Sequence, residues 1–120
     1  MHTYKKGYRA ENDLIKLLSS LGYAVLRAPK SGKNTIDLIA CKRGNIFVFE
    51  CKNWNSTVRL NEKQLKSIID FSEKAGAIPF IAIKTDGWKF LKIEGHESKI
   101  IASKKQIEEK GFGIEFFEKY

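Results

Sequence analysis

Two apolar runs joined by a tight turn constrain this chain more than any other feature. Residues 36–42 and 45–52 are apolar on both faces of a strand, the pattern of sheet-centre strands rather than half-solvated ones. The turn Arg43-Gly44-Asn45 is short enough to fold one run back on the other as a hairpin. Both runs nevertheless carry charge: Asp37 in the first, Glu50 and Lys52 in the second. Residues two apart in a strand share a face, so Glu50 and Lys52 point together, Cys51 points away, and the hairpin can bring Asp37 beside the pair. The simplest alternative is a structural salt bridge inside the sheet. Burying charge needs near-complete pairing to break even, so charges set among Ile36, Leu38, Ile39, Phe47, Val48 and Phe49 mark a functional site. Two carboxylates can hold a hard divalent cation through oxygen, and a lysine can stand beside an attacking water. Those are the parts needed to cut a phosphodiester.

The remaining elements surround this hairpin. Leu14, Leu17, Leu18 and Leu21 recur at helical spacing over residues 7–21, and Gly22 stops that helix. Residues 23–28 read as a strand, ended by Pro29 and the polar loop Lys30-Ser31-Gly32-Lys33-Asn34. A second helix is predicted over 61–75, stopped by Gly76, with strands over 78–84 and 88–93 on either side of Thr85-Asp86-Gly87. A short helix over 103–110, closed by Gly111, and a final strand over 114–117 complete the chain. The core order αβββαβ predicts an α/β fold, a central mixed sheet flanked by helices. With 120 residues and 42% hydrophobic content, one domain over 1–120 is expected, residues 1–6 forming a basic, flexible arm.

The formal charge of +8, from 22 Lys and Arg against 14 Asp and Glu, favours a polyanionic partner, most commonly nucleic acid. Lys5, Lys6, Arg9, Lys30 and Lys33 flank the charged hairpin in sequence and are assigned to phosphate contact without base readout; a solvated surface is the alternative for each. Trp54 could stack on an exposed base or anchor the core edge. Cys41 and Cys51 lie in apolar runs without CxxC spacing, and His2 and His96 are the chain's two histidines, so a zinc site is not expected. No apolar run approaches membrane-spanning length, and a soluble, cytoplasmic protein with no membrane partner is the expectation.

On a helix turning about 100° per residue, Glu11 falls between Ile15 and Leu18 and so faces inward, while Asn12, Asp13, Lys16 and Ser19 fall on the solvated side. A buried carboxylate needs a cation or donors. The periodicity allows either a structural partner, Arg9 or Lys52, or membership of a metal site.

The segments Gly7-Tyr8-Arg9-Ala10-Glu11, Arg27-Ala28-Pro29-Lys30-Ser31-Gly32, Asp37-Leu38-Ile39-Ala40 and Glu50-Cys51-Lys52 together resemble the archaeal Holliday junction resolvases, within the PD-(D/E)xK nucleases of restriction-endonuclease-like fold. The resemblance covers about residues 6–92. It implies that Asp37, Glu50 and the backbone carbonyl of Cys51 bind Mg2+, for which Mn2+ would substitute. It implies further that Lys52 orients or deprotonates the water and that Glu11 completes the acidic site. Ser31 matches a serine that supports cleavage and Gln64 a glutamine on the second helix that meets DNA. Ser31 also suits a turn, and Asn61 with Gln64 has capping-box spacing. Ile36 stands where many relatives carry proline, which removes no catalytic atom. The implied substrate is four-way junction DNA, cut symmetrically by a homodimer with Phe71, Phe80 or the aromatic end Phe116-Phe117-Tyr120 as interface candidates. Two other readings stay open: a related nuclease acting on duplex, nicked or flapped DNA, and a non-catalytic module that binds branched DNA.

Overall fold

In the computed structural model the described residues are 2–29, 36–53 and 57–120, with side chains described from Arg9 onward. Helix α1 (His2–Ser20) is followed by β1 (Ala24–Arg27), β2 (Leu38–Lys42), β3 (Asn45–Asn53) and β4 (Val58–Leu60). Then come α2 (Glu62–Ala75), β5 (Ile78–Lys84), β6 (Trp88–Lys92), β7 (Ile100–Ala102), α3 (Lys104–Lys110) and a 3-10 helix (Ile114–Lys119). The main sheet has the order β1-β2-β3-β5-β6. Its β3–β5 pair is parallel and the others antiparallel, so the sheet is mixed, as expected, and β3 is its centre. A parallel pair needs a long crossover, supplied here by the segment that carries β4 and α2.

Both faces of β3 are buried, which is why its sequence is apolar without alternation. On one face Phe47, Phe49, Phe80 and Phe90 pack under Leu14 and Leu18 of α1 and under Phe117. On the other, Val48, Ile81 and Ile83 pack under Leu65 and Ile68 of α2 and Ile107 of α3, with Val58, Leu60 and Ala102 from a small antiparallel β4–β7 sheet.

Local signals account for the helix ends. Asn61 and Gln64 form a reciprocal capping box at the start of α2, and Gly76 closes it with φ 67°, a conformation that costs glycine little. Ser103 and Gln106 cap α3 in the same way, so the same signal was present there. Helix α1 begins at His2, not at residue 7. Nothing in His2–Lys6 breaks a helix, and the segment expected to be a flexible arm forms its first turns. The β4–β7 sheet was not foreseen, because three-residue strands are too short to show a period.

Residues 114–117 are helical and not a strand. At Phe90 the outer edge of β6 is already bridged to Phe112 through paired hydrogen bonds of 2.8 Å. The Phe117 carbonyl accepts from the Tyr23 hydroxyl at 2.8 Å, and its ring turns into the core.

The β2–β3 hairpin closes through Arg43 and Gly44, with Lys42 paired to Asn45 and φ of 51° and 85° at the two turn residues. Two positive φ values suit the twist of a two-residue hairpin but strain a residue with a Cβ. Arg43→Asn is expected to stabilise the fold by about 0.5–1 kcal/mol, read as a higher urea midpoint at unchanged slope. An unchanged midpoint would show that the arginine side chain offsets its own backbone strain.

Candidate active site

Asp37, Glu50 and Lys52 converge where β2 meets β3. Continuing the pairing from Leu38↔Phe49 would set Asp37 opposite Glu50. The Asp37 N–H instead donates to the Phe49 carbonyl at 2.8 Å, and Asp37 Oδ2 accepts the Cys51 N–H at 2.7 Å. The side chain thereby takes an acceptor position in the ladder, and this fixes the carboxylate beside the peptide that joins Glu50 to Cys51. Glu50 is buried at 8% exposure, and Lys52 Nζ stands 3.8 Å from its Oε2. The strand's two-residue period has brought acid and amine to one side, as the spacing requires.

Glu11 faces inward, also 8% exposed, but its ion-pair partner is neither Arg9 nor Lys52. Arg27 of β1 donates from Nε to Glu11 Oε1 at 3.1 Å and from Nη2 to Asn12 Oδ1 at 2.7 Å. Arg9, two residues before Glu11, lies about 200° around the helix and is exposed. The signal that could have found Arg27 is its place in β1, two residues beyond Val25 on the face that packs toward α1. Arg27→Met is expected to destabilise the protein by about 1–3 kcal/mol, because it leaves a buried carboxylate without this partner. An Arg27→Met/Glu11→Gln double variant should lose less than the two singles added together, as a denaturation double-mutant cycle would read.

Ala10, Glu11, Cys51, Lys52, Asn53 and Trp88 line a narrow cleft of about 30 Å3. Helix α1 is therefore set against the end of β3, so Glu11 and Lys52 share a wall although they lie on different elements. Trp88 and Asn53 belong to this wall and had no signature in sequence. A larger hollow, about 350 Å3, lies between β6, β7 and α3 and holds none of the predicted site residues.

Among the described residues no three His, Cys, Asp or Glu side chains gather into a metal-binding group, so Glu11 is not drawn with Asp37 and Glu50 into one three-carboxylate set. What stands together is two carboxylates and the Cys51 peptide, an all-oxygen donor set if the peptide contributes its carbonyl. Hard divalent cations favour such donors over soft ones.

Gln64 sits in the capping box: its Oε1 accepts the Asn61 N–H at 2.9 Å, and its own N–H donates to Asn61 Oδ1 at 2.8 Å. Lys30, Ser31, Lys33 and Trp54 lie outside the described residues, as do the side chains of Lys5 and Lys6. Of the interface candidates, Phe80 and Phe117 are fully buried core residues, whereas Phe71 is exposed on α2. Among the described residues no helix is long and apolar enough to cross a membrane.

The sequence model of Hjc, the archaeal Holliday junction resolvase family, matches residues 2–119. The crossover junction endodeoxyribonuclease Hjc of Methanocaldococcus jannaschii is 39% identical over 87 residues, covering 72% of this chain and 64% of that protein. This chain thus matches just under two thirds of that relative's length. The Hjc of Sulfolobus acidocaldarius is 33% identical over 101 residues, 78% of this chain and 71% of the relative. The crossover junction endodeoxyribonuclease Hje of Saccharolobus solfataricus is 30% identical over 104 residues, 79% and 77% of the two chains. The solved structure of Archaeoglobus fulgidus Hjc, a Holliday junction resolvase, shares the fold with a TM-score of 0.79 at 24% identity, over 96% of this chain and 98% of that one.

Proposed function

The chain belongs to the archaeal Holliday junction resolvase family, and from that premise we propose that it is a structure-selective endonuclease that resolves four-way DNA junctions by paired, Mg2+-dependent cuts. The observation that carries the reading is the Asp37 carboxylate held against the Cys51 N–H, beside the Glu50–Lys52 pair.

A phosphodiester resists hydrolysis because its charge repels nucleophiles, so a catalyst must neutralise oxygens and place a water in line. Asp37, Glu50 and the Cys51 carbonyl would hold Mg2+, with Mn2+ as a substitute. Bound there, the ion would supply charge neutralisation at the phosphate and a more acidic water. Lys52, kept near Glu50, would orient the attacking water or, as the neutral amine, take up its proton. Glu11 lines the same cleft as Lys52, and its bond to Arg27 ties α1 to β1. Ser31 supports cleavage, and Gln64 meets DNA beside its capping role. Lys5, Lys6, Arg9, Lys30 and Lys33 contact phosphates, so binding weakens steeply with added salt.

Two symmetric cuts call for two sites on a two-fold axis, hence a homodimer. Phe71 at 39% exposure and Ile78 at 37%, at the start of β5, are the apolar residues near α2 that such an interface would cover. Phe71→Asp is expected to yield a monomer in sedimentation, with single nicks replacing paired ones. A dimer that survives the substitution would place the interface elsewhere.

The test of the function is cleavage of an end-labelled four-way junction beside linear duplex of the same sequence, with Mg2+ or with chelator. Paired, Mg2+-dependent nicks confined to the junction are the expected result. Equal cutting of duplex, or tight binding without any cut, would overturn the substrate or the chemistry respectively.

A further inference from the structure

We infer that Trp88 is a DNA-contacting wall of the active cleft, its indole packing against the sugar and base of the nucleotide next to the bond that is cut. The inference rests on the nuclease reading above and adds a residue to its site. Trp88 lies 36 positions beyond Lys52, yet both line the same cleft with Glu11.

Strand register explains how. Lys52 pairs with Ile83 and Asn53 with Lys84 across the parallel β3–β5 ladder, and Lys84 pairs with Trp88 across β5–β6. Asn53, Lys84 and Trp88 therefore form one row across the end of the sheet, one residue past the level of Lys52. Side chains alternate along a strand, so this row lies on the α1 face with Cys51 and meets Lys52 only at the end of β3, where the cleft opens.

The indole is prepared for contact. It is half-buried and stacks on Phe90 with ring centroids 6.3 Å apart and planes 23° from parallel. Lys84 Nζ stands 5.4 Å from its centroid. A ring braced on core and flanked by an ammonium loses little freedom when it meets a nucleotide, and the lysine brings phosphate attraction to the same place. Among the described residues Trp88 is the aromatic that lines this cleft. A residue that merely plugged the core would have no reason to sense DNA.

The experiment uses full-length protein carrying Trp54→Phe, so that Trp88 is the one emitting tryptophan, and Asp37→Asn to prevent cutting. Fluorescence is titrated with a four-way junction while binding is followed in parallel by gel shift. Quenching that saturates with the binding curve is expected. Trp88→Leu, which keeps apolar burial, should bind the junction about tenfold more weakly at an unchanged melting temperature. If the junction binds and Trp88 emission does not change, the inference fails while the nuclease reading stands. If wild-type protein neither binds nor cuts the junction, the underlying reading fails and takes the inference with it. Should the leucine variant not fold, the fluorescence titration alone decides.

Discussion

Asp37→Asn protein should retain its fold and lose junction cleavage by about a thousandfold or more, since the proposed cation would lose one of its anionic ligands and, with it, several kcal/mol of the transition-state stabilisation it would give the phosphate. The substitution is selective because of how Asp37 is held. Its Oδ2 accepts the Cys51 N–H, and an amide oxygen can accept the same bond, so this contact survives while the charge is lost. Asp37→Ala would also leave that N–H without this acceptor and should cost about 1–2 kcal/mol of stability besides. A readout independent of activity is available. A cation bound only by the folded state raises the melting temperature by mass action, so Mg2+ should stabilise wild-type protein and not Asp37→Asn. Cleavage within tenfold of wild type, or an undiminished Mg2+ response, would remove Asp37 from the site.

The largest loss of stability is expected at Phe117. This ring lies in the 3-10 helix near the end of the chain, at 0% exposure. Its centroid is 4.9 Å from Phe90, 5.2 Å from Phe47 and Phe80, and 5.5 Å from Phe49, each in an edge-on arrangement. It is the ring that meets all four phenylalanines of the sheet's α1 face. Tyr23 fixes the backbone there by donating to the Phe117 carbonyl. Burial, with the Tyr120 hydroxyl beside it, raises the Tyr23 pKa and keeps that donor protonated. Phe117→Ala should cost about 3–5 kcal/mol, the transfer term plus the cavity left behind, a large share of a small domain's total of about 5–15 kcal/mol. Phe71→Ala, on an exposed ring, should cost under about 1 kcal/mol in the monomer. Comparable losses for the two in urea denaturation would mean that the aromatic cluster does not hold the C-terminal segment to the sheet.

The same contrast separates what could be read locally from what could not. Phe116 and Phe117 look alike in sequence, and a four-residue segment with three apolar side chains, Ile114, Phe116 and Phe117, fits a strand as well as a helix. The choice was made by a distant partner, since Phe112 occupies the β6 edge at Phe90 and Tyr23 takes the Phe117 carbonyl. By contrast β5 spans residues 78–84 as its apolar run indicates, and α2 begins and ends at signals within a few residues of its own termini.

For the site, the amino-acid sequence by itself determined which residues share a face. A two-residue period puts Glu50 and Lys52 together, a tight turn returns Asp37 to them, and the helical period turns Glu11 inward, because each of these follows from backbone geometry within a single element or hairpin. Only the tertiary structure decided the partners: Arg27 for Glu11, the Cys51 N–H for Asp37 and Trp88 for the cleft beside Lys52. Those pairings join segments whose approach depends on strand order and on how α1 sits against the sheet. Periodicity carries the direction a side chain points, whereas the neighbour it meets is set by packing between elements far apart in the chain.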